Sequence, residues 1–349
     1  MTGWTTAAKA ACAIALLAMP LAGGGGGRAE AQTDDASFQA YLRQIEPLAR
    51  AQGVSQNTLD TVLPTLTFNP RVVELDREQP GATPSGPIPR FAPYRATHVD
   101  APRIARGRSR YQALRSTLSR IERESGVPAS IMMSIYGNET NYGSFTGGFD
   151  LPRSLASLAY EGRRRTLFQQ EFIDTLKLID RGTPREVLKG SWAGATGYPQ
   201  FLPSAVIRLA RDGDGDGRVD IWRSEPDALA SIANYFARAG WRPGQAWGVA
   251  ASVPAGLDRT AIANRTVSPR CPRVHDRHSQ WKTVGEWRAL GVVPQSNRLR
   301  DSDLASLLEP DGPSATAYLL TGNYRVILDY NCSKFYGLAV ALLADAVSG

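Results

Sequence analysis

The chain contains the stretch SIYGNETNYG from Ser134 to Gly143, and we expect the fold to be organised around it. The Val127-Pro128 pair upstream predicts the start of a helix, because proline suits the first helical turn. A helix that begins there would carry Glu139 close to its end, just before Gly143 stops it.

Glu139 occupies an unusual position on this helix. Residues four apart share a helical face, so Glu139 extends the apolar row formed by Ile131 and Ile135. Burying an unpaired charge is costly, and such a carboxyl group usually raises its pKa and stays protonated. A glutamic acid that keeps its proton near neutral pH is suited to acid catalysis on a glycosidic oxygen. The alternative is a glutamate at a helix end that reaches water or caps a backbone group.

The composition is that of a soluble globular protein with two or three compact units. The 349 residues are 42% hydrophobic and 21% charged, and the net charge is +7. A basic chain suits an acidic polymer, either nucleic acid or the carboxylate-bearing bacterial wall. We expect no nucleic-acid partner, because the sequence has no Lys/Arg run and no basic repeat interleaved with aromatic residues.

The first 31 residues predict a secretory signal peptide. Lys9 precedes an apolar run over residues 10–22, and Ala29-Glu30-Ala31 offers a small-x-small cleavage site. The run is too short to span a membrane, and no later stretch supplies a span. Cys12 lacks the leucine expected three residues before a lipid-modified cysteine. We therefore expect a soluble periplasmic protein without stable membrane insertion, rather than a lipoprotein.

Cys271 and Cys332 remain once the signal peptide is removed. Two cysteines in an oxidising compartment predict one disulfide. The alternative is a metal site that begins with Cys271, His275 and His278, which the lack of a further thiolate nearby disfavours.

Helical spacing dominates the rest of the chain. It predicts helices over residues 36–52, 55–63, 101–125, 154–161, 163–181 and 228–239, with a Pro- and Gly-rich connector over residues 79–93. The Arg-rich helix over residues 101–125 is expected to present a solvated face. Towards the C-terminus we predict short helices around Trp287 and over residues 304–308, a strand over residues 324–328, and an apolar helix from Gly337.

Residues 188–203 have the sequence LKGSWAGATGYPQFLP, which is dense in glycine, aromatic, hydroxyl and amide side chains. Small residues let a ligand approach the backbone, and aromatic faces stack on sugar rings. A packed turn without a ligand would have a similar composition, so both interpretations stay open.

Asp212, Asp214 and Asp216 stand at positions one, three and five of a loop that has glycine at position six, as in the front half of a calcium loop. Position twelve is Arg223, so Glu225 or Asp227 would have to complete the ligand set. The alternative is a plain Asp-Gly turn, followed by a capping pair of Ser224 and Asp227 that opens the next helix.

Three stretches together resemble the lytic murein transglycosylase B family, in its soluble-type relatives, from about Phe38 to the C-terminus. They are DREQP at 76–80, the pattern Gly-x-Glu-Thr-x-Tyr-Gly at 137–143, and GSxAGAxGYxQFxP at 190–203. The last pattern is long and distinctive.

This resemblance implies a peptidoglycan lytic transglycosylase that cleaves the β-1,4 bond between N-acetylmuramic acid and N-acetylglucosamine. The muramyl 6-hydroxyl would attack in place of water and leave a 1,6-anhydro sugar. Glu139 would first protonate the leaving oxygen and then take the 6-hydroxyl proton, whereas ordinary glycosidases use two carboxylates. The segments at 137–143 and 190–203 contain no Asp or Glu other than Glu139, although Asp150 lies shortly downstream of the first.

The resemblance also implies roles for individual residues. The positions that match the family's sugar cleft are Tyr94, Ser191, Gln200, Tyr235, Tyr330, Asn331 and Tyr336. For Tyr94 and Tyr235, half-buried packing is the alternative. The positions that match a structural calcium loop are Asp212, Asp214, Asp216, the Arg218 carbonyl and Asp227. No cofactor is expected for catalysis itself.

Pattern and resemblance together predict a mainly α (α+β) fold, in which a lysozyme-like helical catalytic core is flanked by helical regions and a few short strands. We expect a signal peptide over 1–31, an N-terminal helical region and connector over 32–110, a core with the Asp-rich loop over 111–250, and a C-terminal region completing the groove over 251–349. Two rival functions are a muramidase that uses water and a non-catalytic, calcium-dependent wall-binding protein.

Overall fold

The computed structural model describes residues 28–79 and 90–349, and α-helices dominate this part of the chain. The helices are α1 (Arg28–Ala51), α2 (Gln56–Val62), α3 (Pro70–Arg77), α4 (Phe91–His98), α5 (Ala101–Ala113), α6 (Arg115–Ser125), α7 (Ala129–Thr140), α8 (Leu151–Glu161), α9 (Arg165–Asp180), α10 (Pro203–Leu209), α11 (Glu225–Arg238), α12 (Pro272–His275), α13 (Val284–Ala289), α14 (Gly322–Tyr330) and α15 (Lys334–Ser348). The strands are β1 (Phe149–Asp150), β2 (Lys189–Gly190), β3 (Gly248–Ser252), β4 (Lys282–Thr283), β5 (Val293–Pro294), β6 (Leu304–Leu308) and β7 (Ala317–Leu320). The predicted mainly helical fold with a few short strands is confirmed.

Helix α7 is the central element of the fold. Pro128 precedes its first turn, and Asn141 ends it in a left-handed conformation. Along the helix only Ser130, Asn138 and Glu139 keep partial exposure, and all other side chains are buried. A helix that is buried all round belongs to the core.

Two helical cores meet beside α7. One surrounds α7 itself and takes side chains from α11, α14 and α15. The other is built by α1 to α3 and α8 to α10. Tyr235 and Tyr330 pack against both cores and mark the junction between them.

Within the second core, a buried ion pair ties α3 to the turn between α8 and α9. Asp76 at the end of α3 is 1% exposed and accepts hydrogen bonds from Arg163, at 2.6 Å, and from Arg164. Burial acts to raise the pKa of Asp76, but the two guanidinium groups outweigh it and the pKa falls. This contact gives the DREQP stretch a structural role.

A five-stranded antiparallel sheet lies between α11 and α14 in the chain, with strand order β4-β6-β7-β3-β5. Because side chains alternate along a strand, β7 serves two cores at once. Tyr318 and Leu320 enter the core around α7, whereas Ala317 and Leu319 enter a third core that contains Trp287.

Two segments have the opposite structure to the predicted one. Residues 304–308 were predicted as a helix and form strand β6, while residues 324–328 were predicted as a strand and belong to helix α14. Most of both segments is buried, and a short apolar run looks the same in a buried strand and a buried helix. The Thr321 side chain caps α14 by accepting from the Asn323 N–H.

The predicted single helix over residues 101–125 is two helices, α5 and α6, which meet at Leu114. Of the predicted connector over residues 79–93, residues 80–89 lie outside the described part, and Phe91–Pro93 open helix α4. Most of the predicted signal peptide also lies outside it.

No single helix among the described residues is long and apolar enough to cross a membrane. The pair α14 and α15 passes such a test only when taken together, and the two are bent by 114°.

Candidate active site

Glu139 lies in the last turn of α7, directly before a sharp reversal of the chain. Asn141, Tyr142 and Gly143 all have left-handed backbone, with φ of 51°, 59° and 79°. Positive φ is unfavourable for the two non-glycine residues, so neighbouring contacts must hold it. One of them is the Thr140 hydroxyl, whose oxygen accepts the Gly143 N–H at 3.0 Å. A rigid helix and a fixed turn therefore position Glu139 from both sides.

The carboxyl group of Glu139 has one strong partner, Tyr336 on α15. The Tyr336 hydroxyl donates to Oε1 at 2.5 Å. Burial raises the pKa of Glu139 to about 7, and this hydrogen bond partly opposes the rise. Both the acid and the carboxylate are then populated at neutral pH, as a group that gives and later takes a proton requires. Glu139 as a residue keeps partial exposure, but its carboxyl group lies in a desolvated pocket, which fits the predicted buried acid better than a helix-end glutamate turned to water.

Three tyrosines lie close enough to Glu139 for its charge to act on their own pKa values. Burial is the largest cause in each case, and Glu139 adds to it. The pKa of Tyr94 rises to about 12, and those of Tyr330 and Tyr336 rise well above their ordinary value. All three therefore stay neutral and keep their hydroxyl protons. Tyr94 is also held by His98, on which its ring stacks at 3.8 Å between centroids.

Tyr235 and Tyr330 form an aromatic wall at the junction of the two helical cores. Their rings meet edge to face at 4.7 Å between centroids. The Tyr235 hydroxyl donates to the Asp329 carbonyl at 2.6 Å, and the Tyr330 hydroxyl donates to the Pro199 carbonyl at 2.5 Å. Both hydroxyls are thus held by the backbone.

Ser191 and Gln200 hold the turns of the segment over residues 188–203. The Ser191 hydroxyl oxygen accepts the Ala195 N–H at 3.0 Å. The Gln200 amide donates to the Gly197 carbonyl at 2.9 Å and to the Thr146 carbonyl at 3.1 Å. The second bond links this segment to the loop that follows α7.

Close backbone packing explains two of the nearby glycines. Strands β1 and β2 pair Phe149 with Gly190, which brings the loop after α7 against the 188–203 segment. A Cβ atom on Gly190 would collide with the Ala195 carbonyl, and one on Gly147 would collide with the Gly190 backbone. Here the glycine density serves packing within the protein.

The 188–203 segment lies directly beside the helix end that carries Glu139. The rings of Tyr136, on α7, and Tyr198 are 5.4 Å apart between centroids. The Thr140 hydroxyl donates to the Tyr198 carbonyl at 3.5 Å. The two stretches that the sequence singles out therefore form one site.

Arg103 and Arg106 on α5 were missed as part of this site, because their charge was taken to indicate a solvated face. Arg103 Nη1 donates to the Gly137 carbonyl in α7 at 3.0 Å, and Arg106 Nη2 donates to Asn141 Oδ1 at 2.8 Å. Cations suit the negative end of a helix dipole, but the sequence does not show which helix end they meet.

Two further polar residues have different surroundings. Asn331 Oδ1 is buried, and within residues 28–79 and 90–349 it has no hydrogen-bond partner. Asp150 instead caps α8 by accepting the Arg153 N–H at 3.0 Å, and Arg185 lies 3.3 Å from its carboxylate. Asp150 therefore has a structural role, as the N-cap of α8 and the ion-pair partner of Arg185.

Carboxylates of the Asp-rich loop converge at one point. Those of Asp212, Asp214 and Asp227 offer oxygens within 4.8 Å of one another, which fits a divalent cation. Asp216 is not in this group, and its Oδ1 accepts the Arg218 N–H at 2.7 Å. The residues present thus supply three of the predicted carboxylate ligands.

Asp227 combines both roles that the sequence leaves open. The Ser224 side chain caps α11 by accepting the Asp227 N–H at 3.2 Å. The Asp227 carboxylate faces the loop and accepts the N–H groups of Gly213, at 2.7 Å, and Asp220, at 2.6 Å. Its pKa is raised by burial, with the nearby Asp214 charge as a smaller cause.

The structure joins Cys271 and Cys332 in a disulfide with 5.3 Å between the Cα atoms. Cys271 is therefore not available as the thiolate ligand of the alternative metal site. His275 and His278 are both buried nearby, with 5.6 Å between ring centroids.

Known proteins resemble this chain over most of its length. Membrane-bound lytic murein transglycosylase B of Escherichia coli (strain K12) is 29% identical over 314 residues, which cover 87% of this chain and 81% of that protein. SltB3 of Pseudomonas aeruginosa in complex with NAG-anhNAM-pentapeptide is 37% identical, with a TM-score of 0.79, and the match covers 89% of this chain and 80% of SltB3.

A third relative is Slt35 of Escherichia coli, a lytic transglycosylase solved in complex with calcium. It is 28% identical, with a TM-score of 0.71, and the match covers 90% of this chain and 93% of Slt35. The family described as Transglycosylase SLT domain matches residues 37–345. The match takes in α7, the 188–203 segment and the Asp-rich loop, and the chain therefore belongs to the Transglycosylase SLT domain family.

Proposed function

We propose that this protein is a lytic transglycosylase of peptidoglycan. It would cleave the β-1,4 bond between N-acetylmuramic acid and N-acetylglucosamine and leave 1,6-anhydromuramic ends. The observation that carries the proposal is the buried Glu139 carboxyl, whose pKa is raised to about 7. Burial raises that pKa, and the Tyr336 hydroxyl acts to lower it. A single carboxyl group poised in this way can serve first as acid and then as base.

In the first step, protonated Glu139 gives its proton to the glycosidic oxygen as the bond to the muramyl C1 breaks. The resulting carboxylate keeps the Tyr336 hydroxyl at Oε1, and this bond stabilises the charged form. The substrate's own N-acetyl group would help to stabilise the oxocarbenium-like intermediate.

In the second step, the Glu139 carboxylate takes the proton from the muramyl 6-hydroxyl, whose oxygen attacks C1 and closes the anhydro ring. The carboxyl group is then protonated again, ready for the next bond. Because burial holds the pKa near 7, the acid needed for the first step and the carboxylate needed for the second are both accessible at neutral pH.

The remaining cleft residues would bind and orient the glycan. Tyr330 and Tyr94 offer aromatic surface beside Glu139, and Tyr235 extends it from Tyr330. Asn331 Oδ1, which has no hydrogen-bond partner among the described residues, is a ready acceptor for a sugar hydroxyl or amide. Ser191 and Gln200 would act mainly by holding the backbone against which the sugar lies. Tyr336 and Tyr330, both from the C-terminal region, support its proposed part in completing the groove.

We also propose that the Asp-rich loop binds a structural Ca²⁺ ion. Asp212, Asp214 and Asp227 would hold it, with Asp216 and the Arg218 carbonyl as the other members of the proposed set. The ion would neutralise three clustered carboxylates and tie the start of α11 to the loop. It would supply no step of the bond cleavage.

Export to the periplasm is the proposed localisation, with the mature chain beginning after residue 31 and acting on peptidoglycan strands. The disulfide supports an oxidising compartment. The exported protein is then expected to show no free thiol under denaturing conditions.

Product analysis tests the function directly. The full chain is incubated with purified peptidoglycan, and the released muropeptides are analysed by mass spectrometry. Products with 1,6-anhydromuramic ends are expected. Reducing muramic acid ends, heavier by one water, would instead identify a hydrolytic muramidase. No release at all, with binding to peptidoglycan retained, would favour the non-catalytic wall-binding protein.

A further inference from the structure

The bend between α14 and α15, over residues 329–333, carries part of the proposed groove. Tyr330 and Asn331 lie in the bend itself, and Tyr336, the hydrogen-bond donor to the proposed acid, follows in the first turn of α15. Asn331 and Ser333 have extended backbone, so the bend interrupts the helical hydrogen-bond pattern. Its position therefore depends on the contacts that other segments of the chain make with it.

A distant segment holds this bend at two points. Arg270 Nη1 lies 2.6 Å from Asp329 Oδ2, and Cys271 is joined to Cys332 by the disulfide. Two adjacent residues are thus linked to positions on either side of the two groove residues in the bend. We call these four residues, Arg270, Cys271, Asp329 and Cys332, the clamp.

The segment that carries Arg270 and Cys271 is itself anchored to the five-stranded sheet. Shortly downstream, the Ser279 N–H donates to the Leu307 carbonyl on β6 at 2.9 Å, and the Leu307 N–H donates to the Ser279 hydroxyl oxygen at 2.8 Å. The two cysteines are 61 residues apart in sequence. The disulfide therefore ties the bend to a segment that local structure would not bring to it.

Most of α15 is anchored by apolar contacts instead. Its buried side chains from Phe335 to Val347 belong to the core around α7. Loss of the disulfide should therefore leave α15 docked but allow its first turn to move. That turn is joined to the bend by Ser333, whose side chain accepts the Tyr336 N–H at 3.4 Å.

We propose that the clamp positions Asn331 and Tyr336 for the reaction at Glu139, and that the folded enzyme loses activity when the clamp disulfide is reduced. The clamp residues are positioning residues, since they act on the site through Asn331 and Tyr336. The proposal rests on the proposed function, because it concerns the same acid and the same groove.

Reduction of the clamp is a balanced two-electron step. A dithiol gives two electrons and two protons to the disulfide, whose Sγ–Sγ bond breaks to form two thiols, and the dithiol itself becomes a disulfide. Cys332 keeps partial exposure whereas Cys271 is buried, so the dithiol reaches the pair from the Cys332 sulfur. The ion pair between Arg270 and Asp329 is left in place by this step.

The pH dependence of muropeptide release from purified peptidoglycan tests the proposal. The Tyr336 hydroxyl acts to lower the Glu139 pKa, so its displacement should move the alkaline limb of the profile to higher pH. Reducing the parent with dithiothreitol should do this and lower kcat about tenfold. The double variant Cys271→Ser, Cys332→Ser should show both effects without reductant and should not respond to it. An oxidised-type profile in the reduced parent and in the double variant would overturn the proposal.

Tyr336→Phe separates positioning from a general loss of stability. In this variant the donor is already absent, so reduction of the disulfide should move the alkaline limb no further. A further shift on reduction would overturn the assignment of Tyr336 as the residue through which the clamp acts.

Arg270 gives a test that leaves the disulfide intact and that decides the question if the reduced protein unfolds. Arg270→Gln should move the alkaline limb in the same direction by a smaller amount, and Arg270→Lys, which keeps the charge, should restore it. Arg273→Gln removes an equal charge from an exposed position on α12 and serves as the matched control. Equal profiles for Arg270→Gln and Arg273→Gln would overturn the proposal.

A titration of the Glu139 carboxyl carbon by ¹³C NMR needs no catalysis and keeps the two proposals apart. The pKa of Glu139 should be higher in the reduced protein than in the oxidised one. A higher pKa without anhydro products from the oxidised parent would support the clamp and refute the proposed function. Anhydro products with the same pKa in both redox states would refute the clamp alone.

Discussion

The end of α7 and the Asp-rich loop use the same chemical group in opposite ways. At the end of α7, the carboxyl of Glu139 is buried with a single hydroxyl donor, and its pKa rises to about 7. In the loop, Asp212 accepts the N–H groups of Gly215 at 2.6 Å and Gly217 at 2.8 Å, and its pKa falls. The number of donors and the access to water decide whether a carboxyl becomes an acid or a permanently charged ligand.

The largest effect expected from this difference is on activity. Glu139→Gln keeps the shape of the side chain but has no proton to give, so release of muropeptides from peptidoglycan should fall at least about a thousandfold. Asp212→Asn, the same chemical change in the loop, should retain most of the activity. Comparable losses in the two variants would mean that Glu139 acts only through the fold.

The two sites should also differ in how their variants affect stability with pH. Glu139 has a pKa of about 7 in the folded protein, against 4.5 for an ordinary glutamate. The stabilisation of the folded state by this bound proton is therefore fully present below about pH 4.5 and is lost as the pH rises through 7. Glu139→Gln should therefore gain unfolding free energy relative to the parent between pH 4.5 and 8, on the order of 3 kcal/mol.

The unfolding free energy of Asp212→Asn, relative to the parent, should change with pH in the opposite direction. The lowered pKa of Asp212 stabilises the fold above its ordinary range, and this contribution is lost as the pH falls through the lowered pKa. The variant should be less stable than the parent at neutral pH and approach it in acid. Chemical denaturation at several pH values measures both variants, with calcium chelated throughout.

Calcium should act on the loop and leave the helix end unchanged. A ligand at a hundred times its Kd stabilises the folded state by about 2.7 kcal/mol, so the melting temperature should rise by several degrees with Ca²⁺ and fall back with EGTA. Asp212→Asn should reduce this rise, while Glu139→Gln should show it in full. A rise that is equal in the parent and Asp212→Asn would rule out the loop as the site.

The smallest expected effect concerns the tuning of Glu139 by its donor. Tyr336→Phe removes the hydrogen bond that lowers the Glu139 pKa, so the alkaline limb of the pH–activity profile should move to higher pH. Tyr235→Phe removes a hydroxyl that bonds the Asp329 carbonyl and should leave the limb in place. If the alkaline limb of Tyr336→Phe stays at the pH of the parent, a group other than Glu139 determines that limb.

The helix around Glu139 is predictable from sequence because its signals are local: a proline before the first turn, an apolar row, and a turn that ends it. The partner of Glu139 is not local. Tyr336 lies 197 residues away, and the hydrogen bond between them depends on how α15 packs against α7. The resemblance placed Tyr336 in the groove, but spacing alone says nothing of that contact.

The errors in the sequence prediction have a common physical cause. Strand β6 and helix α14 are mostly buried, so neither shows the alternation of polar and apolar residues that distinguishes a strand from a helix. Arg103 was misjudged for a related reason, because the sequence does not show whether a charged side chain lies in solvent or bonds to another segment of the protein. Its partner, the Gly137 carbonyl, is supplied by tertiary structure.

The distance in sequence between Glu139 and Tyr336 has a consequence for biosynthesis. A ribosome makes the acid long before it makes the hydroxyl that α15 brings to it. Until α15 docks against α7, the carboxyl of Glu139 lacks this hydroxyl donor and its pocket is incomplete. We therefore expect the environment of the acid to be completed only at the end of folding, when α15 packs against α7.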